Sequence, residues 1–469
     1  MASSFAAGLS ALALAVLTAV APCGPARAQE RAQEGGASAA PKPGGAAFLR
    51  AEAPVASAVV LDDDGERARL VMTLSAPASP SAFALADPDR VILDAPDLQF
   101  AIAPELGRPA PRHAARGRTA PQASLLRPNG LIASFRYGRL DAARGRLVVD
   151  LAAPARIVRA ASETGPDGSA QLVLELARTE RAKFLAAAQA SRQALAEAPP
   201  PAPAPALPAT GGRPVVMIDP GHGGIDHGAS VNGLVEKDIV LDFAQALAGR
   251  LRADGRFEPV LTRADDTFVA LDERVRLARE RGAALFVSIH ADTVAEAAGV
   301  AGATVYTAAE RASDAAAARL AEKENQADAL AGVERAQAGA ADVSDILNEL
   351  TRRETRVYGH VFARTLLNYW KVSSRLNKNP LRSAGFRVLM APDVPSILLE
   401  LGYLSNEEDD AALKSPQWRE AAVARVAEAV DAFFAGRAAP ERAGPERAAL
   451  GSLAAAPAPE AGDTGRAGP

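Results

Sequence analysis

Two histidines and one glutamate stand where the chain would let them share a cation. His222 follows Val215-Val-Met-Ile-Asp-Pro-Gly221, an apolar run broken at Asp219-Pro220-Gly221, so it sits at a turn after a short buried strand. His290 ends Leu285-Phe-Val-Ser-Ile289 in the same way. Glu236 opens Glu236-Lys-Asp238, ahead of a helix whose apolar positions Ile239, Val240, Phe243, Leu247 and Leu251 recur mostly at three and four. Two imidazoles, one carboxylate and an open fourth position form the donor set of a catalytic zinc ion, which indicates a metallohydrolase. Taken alone, Glu236 could instead be an acid that favours the helix dipole. Glu400 interrupts the apolar run Pro395-Ser-Ile-Leu-Leu-Glu400-Leu401. A carboxylate buried there is costly unless it has a partner or a task. The task is that of general base, taking a proton from the attacking water and returning it to the leaving amine. The alternative is a buried ion pair with an arginine such as Arg387.

These side chains need strand ends and helix starts to hold them. Across residues 213–436 strands alternate with helices: Val215–Ile218, a helix from about Glu236 to Ala253, Pro259–Thr262, a helix from about Leu271 to Arg281, Ala284–Ile289, Arg387–Met390, Ile397–Leu401 and a helix from about Gln417 to Phe434. That order predicts an α/β catalytic domain with a mainly parallel sheet and helices on both faces. Ligands collect at the carboxyl ends of such strands, where His222 and His290 fall. Residues 51–178 instead carry short strand-like runs bounded by Pro, Gly and Asp. Among these runs are Arg90-Val-Ile-Leu-Asp94 and Arg146-Leu-Val-Val-Asp-Leu151. They predict a separate all-β N-terminal module, a small sandwich. An irregular Arg/Pro/Ala stretch spans 107–122.

The remaining chain is read as export signal, linker and tail. Residues 1–28 hold an apolar run and an Ala26-Arg27-Ala28 cleavage signal, read as a cleaved signal peptide that sends the protein to a Gram-negative periplasm, with an uncleaved membrane anchor as the other reading. Cys23, the single cysteine, falls inside that segment, so a metal site in the mature chain must use N and O donors. No later apolar run is long enough to span a bilayer. Residues 29–50 and 437–469 are read as disordered, and 179–212 as a helix followed by a Pro/Ala-rich linker. The net charge of −4 and the lack of a basic stripe argue against nucleic-acid binding.

The motifs Ile218-Asp-Pro-Gly-His-Gly-Gly224, Glu236-Lys-Asp238, Ser288-Ile-His-Ala-Asp292 and Glu400-Leu-Gly-Tyr-Leu-Ser-Asn406 resemble, in order, those of the zinc-dependent N-acetylmuramoyl-L-alanine amidases. The resemblance implies Zn2+ held by His222, Glu236 and His290, with Glu400 catalytic. It also implies hydrolysis of the amide between N-acetylmuramic acid and L-alanine in peptidoglycan, for cell separation and wall turnover. Arg90–Asp94 and Arg146–Leu151 resemble the AMIN domain often attached to these amidases, which implies peptidoglycan binding and targeting; a sandwich that only spaces the domains is the other reading. His227 is read as a solvent-exposed loop histidine, with a substrate or metal contact as alternatives. His113 and His360 are read as surface or structural residues.

Residues 307–383 form a long insertion with a helix at about 342–354. It resembles the regulatory segment of division amidases that stay dormant until a degenerate metallopeptidase-like activator binds. An acid such as Glu349 or Glu354 would then take the open metal position; otherwise the helix is simply a packed part of the domain. The donor set alone does not separate an amidase from a zinc peptidase or deacetylase acting on peptidoglycan. A non-catalytic wall-binding protein would be expected to lack one of the four key residues.

Overall fold

The structure, a computed structural model, describes residues 53–109, 124–197, 212–231, 233–293, 300–333 and 345–442. The expected signal peptide, the tract at 29–50, His113 and the Pro/Ala linker lie outside them. Strands β1 (Val55–Asp63), β2 (Arg67–Leu74), β3 (Ser81–Leu85), β4 (Arg90–Pro96), β5 (Gln99–Phe100), β6 (Ile132–Asp141), β7 (Arg144–Leu151), β8 (Ala155–Thr164) and β9 (Ala170–Arg178) build two sheets, ordered β5-β1-β2-β9-β8 and β3-β4-β7-β6. Leu70, Met72, Leu172 and Leu174 of the first sheet meet Val91, Leu93, Phe135, Leu147 and Val149 of the second in one core. Helix α1 (Arg181–Glu197) follows.

The second domain comprises β10 (Val215–Pro220), β11 (Ser230–Val231), β12 (Leu234–Val235), α2 (Glu236–Asp254), β13 (Glu258–Leu261), α3 (Leu271–Glu280), β14 (Leu285–His290), β15 (Ala303–Ala308), α4 (Ala315–Glu324), α5 (Ala327–Leu330), α6 (Asp345–Trp370), β16 (Leu376–Ala384), β17 (Ser396–Glu400), α7 (Glu407–Lys414) and α8 (Pro416–Arg442). Its sheet runs β13-β10-β14-β17-β15-β16. Alternate residues serve opposite faces. Val216, Ile218, Val287, Ile397 and Leu399 pack with α2, α6 and α8, whereas Met217, Phe286, Tyr306 and Leu398 pack with α3 and α4.

Two expected elements need correction, and the sheet is mixed: four of its five strand pairs are parallel, while β15 runs antiparallel to β17. Arg387–Leu389 is a single 3-10 turn, and the strand is β16, a sheet-edge strand where Pro380 costs no ladder bond that a central strand would need. Helix α8 continues to Arg442, past the 436 boundary.

The β module is not separate either. Both domains fall within one compact unit, Glu52–Pro469. Leu85, Ile92, Leu140 and Val148 on the outer face of β3-β4-β7-β6 form an apolar cluster with Ile225, Phe268 and Ala331 of the α/β domain. This explains why Val91-Ile-Leu93 and Leu147-Val-Val149 are continuously apolar: both faces of these strands are buried. Among the described residues, no helix is long and apolar enough to cross a membrane.

Candidate metal centre

Strand β10 ends in a loop locked from below. Asp219, fully buried, accepts hydrogen bonds from Thr262 (2.6 Å), Arg274 (2.7 Å) and Ser288 (2.7 Å). Arg274 also donates to the carbonyls of Pro220 (2.8 Å) and His222 (2.7 Å), and Arg263 to those of Pro220 (3.0 Å) and Gly221 (2.8 Å). These bonds hold His222 at φ 58°, a left-handed conformation that a non-glycine residue adopts only when its surroundings impose it. Gly221 is required by space: a Cβ there would lie 2.5 Å from the His290 ring. The Nδ1 of His222 lies 2.8 Å from Asp226 Oδ2, which orients the ring and leaves Nε2 free.

Glu236, the first residue of α2, is fully buried, with its side chain bonded at both oxygens. Oε2 accepts from the Ala229 amide (2.8 Å), and Oε1 from the Ala291 amide (2.9 Å). The same Oε1 lies 3.1 Å from His222 Nε2 and 3.2 Å from His290 Nδ1. A second carboxylate enters from α4: Glu324 Oε2 lies 3.4 Å from His222 Nε2 and 3.5 Å from His290 Nδ1.

The four atoms fit a zinc ion. Donors about 2.1 Å from a tetrahedral centre stand about 3.4 Å from one another, and the four imidazole-to-carboxylate separations run from 3.1 to 3.5 Å. His222, His290 and Glu324 by themselves form a group able to hold a metal. Buried His222 Nε2 has no hydrogen-bond partner among the described residues. Burial alone would push this imidazole down, but Asp226, Glu236 and Glu324 outweigh it and hold it well above its ordinary value. The pocket therefore favours a positive charge at its centre.

Glu400 stands directly across the parallel β14–β17 pair from His290, which puts both side chains on one face of the sheet. Its Oε2 accepts from the Asp292 amide (3.1 Å), while Oε1, also buried, has no hydrogen-bond partner among the described residues. Burial, with Asp292 and Glu236 close by, raises its pKa well above that of an ordinary carboxylate. The pairing with Arg387 does not occur; that arginine binds Asp272 (2.8 Å) and Asp328 (3.2 Å).

The structure thus brings His222, Glu236, His290 and Glu400 together and adds Glu324, which the sequence reading missed. The acid at the fourth corner is not Glu354, which is exposed on α6. Glu349 lies on the first turns of α6, whose side chains are outside the described ones. One signal for Glu324 was available. Ala317, Ala321 and Glu324 form the buried stripe of α4 at i, i+4 and i+7, so the acid falls on the helix's inner face. His227 is buried rather than exposed, edge-on to Tyr137 of the β module at 6.4 Å. Burial, with Lys237 and Arg108, lowers its pKa to about 3. His360 is exposed. The cavity left beside His222, His290 and Glu324 measures about 20 Å³. That is room for a water or an ion, not for a sugar or peptide.

Residues 216–432 match the family model described as N-acetylmuramoyl-L-alanine amidase. The chain is 37% identical over 232 residues to N-acetylmuramoyl-L-alanine amidase AmiA of Escherichia coli (strain K12), covering 49% of this chain and 79% of that protein. It is 30% identical over 366 residues to AmiC of Escherichia coli O6:H1, covering 75% of this chain and 83% of that protein. Among solved structures, AmiC2 of Nostoc punctiforme is 29% identical, covering 48% of this chain and 99% of that one, with a TM-score of 0.35.

Proposed function

The chain belongs to the zinc-dependent N-acetylmuramoyl-L-alanine amidases, and from that premise we propose that His222, Glu236 and His290 are its resident metal ligands, Glu400 its general base and Glu324 an internal inhibitor. The substrate is peptidoglycan, cut at the amide between the muramic acid lactyl group and L-alanine. Zinc, when bound, supplies a Lewis acid that brings the pKa of a water to about 7 and polarises the scissile carbonyl. The free Oε1 of Glu400 takes the water's proton and passes it to the departing amine. The Asp292 amide steadies the other oxygen, and the high proton affinity of buried Glu400 suits it to both halves of the transfer.

One observation carries the inhibition reading: a carboxylate from the insertion fills the corner a substrate needs, leaving a cavity of about 20 Å³. The same helix end reaches further, since Lys323 forms an ion pair with Asp292, whose amide supports Glu400. A partner that binds only the displaced state would switch the enzyme on. A degenerate metallopeptidase-like activator remains the kind of partner expected. The leader-like segment at 1–28 supports export to the periplasm. The 366-residue alignment, longer than the α/β domain, supports an AMIN-type role for the β module in holding the enzyme on the wall.

The test is Glu324→Ala in the zinc-loaded full chain. Dye release from labelled sacculi without a partner should rise roughly tenfold, since removing one competing ligand frees the open state. A rate equal to wild type from folded, zinc-containing protein would sink the inhibition reading. Muropeptide masses check the bond: free lactyl-muramic glycan with intact stem peptide is expected, and cleavage within the stem would favour a peptidase.

A further inference from the structure

The segment that delivers Glu324 ends in α5, and the end of α5 is held by the β module. Helix α5 closes in a Schellman turn: Val333 N–H donates to Asp328 O (2.9 Å), Gly332 N–H to Ala329 O (3.0 Å), and Gly332 has φ 68°. Such an end leaves its last carbonyls facing outward without helical partners. Here guanidinium groups from one sheet face bind those carbonyls and also that of Ala329, which the Gly332 amide already engages. Arg90 of β4 donates to Ala329 O, Arg136 of β6 to Leu330 O (2.7 Å), and Arg146 of β7 to Ala331 O (3.0 Å) and Gly332 O (2.9 Å). Cations at a helix carboxyl end also complement its partial negative charge.

The arginines are themselves aimed. Asp94 grips Arg146 at 2.6 and 2.7 Å, and Asp150 grips Arg136 at 2.7 and 3.2 Å. Between them Ile92 packs so closely on Gly332 that a Cβ there would lie 2.5 Å from it. Arg90, Ile92 and Asp94 alternate on one side of β4, and Arg146, Val148 and Asp150 on one side of β7. The short Arg-to-Asp motifs of the β module thus build a receptor for a helix end, in addition to a sandwich core.

We propose that the outer face of β4-β7-β6 is a latch that fastens the inhibitory segment and so favours the state in which Glu324 fills the metal corner. The inference rests on Glu324 being inhibitory. Opening the site then requires the α4–α5 unit to leave this face, or the β module to leave with it. A wall ligand or partner that engages the module would bear on the active site without touching it. The latch is not the segment's sole hold: Asp328 also accepts from the Leu271 amide (2.9 Å), and Asn325 donates to Gly385 O (2.8 Å). Release of the latch therefore loosens the segment rather than freeing it.

The test uses the full zinc-loaded chain as wild type, Glu324→Ala, Arg136→Ala, Arg90→Ala/Arg136→Ala, and the double arginine variant combined with Glu324→Ala. Basal dye release should rise about three- to tenfold in the double variant, less than or equal to the rise in Glu324→Ala. No further rise is expected once Glu324 is gone. Amide hydrogen exchange across 327–333 should quicken in the arginine variants. Arg136→Ala alone, which strips no fully buried charge, keeps the test open should the double variant fail to fold. An active Glu324→Ala beside arginine variants with wild-type rates and exchange overturns the latch and leaves the inhibition standing. A Glu324→Ala protein as idle as wild type overturns the inhibition, and the latch as a regulator with it.

Discussion

Glu236 and Glu324 present an oxygen to the same two imidazoles at nearly the same distances, yet they are supported in opposite ways. Glu236 is bonded through both oxygens to backbone amides, those of Ala229 and Ala291, and starts a helix packed into the main core. Glu324 Oε1 accepts no hydrogen bond among the described residues and lies 3.8 Å from Lys323 Nζ, and its helix packs inward through Ala317 and Ala321. Their proton affinities differ accordingly. Both are pushed up by burial, but the two imidazoles hold Glu236 well below the carboxylate range, while Glu324 remains above it. Glu236 is thus fixed by the backbone through both oxygens, whereas Glu324, also buried, is the carboxylate that relief of the proposed inhibition would displace.

The largest effect that would break this comparison is loss of metal. Glu236→Gln keeps the volume but puts an amide where two backbone N–H groups and the cation all need an acceptor. Zinc content and sacculus turnover should fall further than the roughly 10–100-fold typical of losing an outer-shell partner. Glu324→Ala should keep its zinc. Equal metal loss from both variants, measured by elemental analysis after gel filtration, would show that the two carboxylates are equivalent ligands.

A smaller effect sharpens the contrast from the histidine side. Asp226 lies 2.8 Å from His222 Nδ1, and its carboxyl is held down to about 2: burial works against ionisation, but His222 and the Gly228 amide outweigh it. Asp226→Asn keeps an acceptor but removes the charge. Zinc affinity, read by chelator competition, should weaken roughly 10–100-fold. Unchanged affinity would mean that the loop bonds of Arg263 and Arg274 alone set the ring.

The parts of this site differ in how far they could be read from sequence. His222, His290 and Glu400 stand at breaks in apolar runs, where strand periodicity makes a polar residue conspicuous. Glu236 follows from its place before a strongly periodic helix. Glu324 is different because its neighbours in sequence are Glu322, Lys323 and Asn325, which look like a solvated face. The spacing of Ala317, Ala321 and Glu324 is a faint cue among so many alanines, and tertiary packing is what turns that residue inward. The union of the two domains was visible but misread: Val91-Ile-Leu93 and Leu147-Val-Val149 are not alternating runs, and Ile92 and Val148 needed a second buried face. Strand β16 was hidden by Asn377, Asn379 and Pro380, tolerable only because the strand lies at the sheet's edge.

The smallest effect compares two histidines of one loop. His222 is surrounded by carboxylates and its pKa is raised; His227 is buried beside Lys237, Arg108 and Tyr137, and its pKa is lowered from 6.5 to about 3. Below pH 6.5 the unfolded chain binds a proton at this position that the folded chain refuses until about pH 3. The unfolded state then holds more protons, so His227 contributes stability that is complete above pH 6.5 and lost progressively as pH falls. The slope it adds approaches about 1.4 kcal/mol per pH unit within that window. His227→Phe keeps a ring against Tyr137 and removes the titration. Across denaturant melts at pH 6.5, 5.5 and 4.5 the stability of wild type relative to the variant should therefore fall steadily, because only wild type carries this proton-linked term. Curves that stay parallel over that range would show that His227 takes up its proton in the folded protein as readily as in the unfolded chain, and that the seam between the β module and the metal loop is wetter than its packing implies.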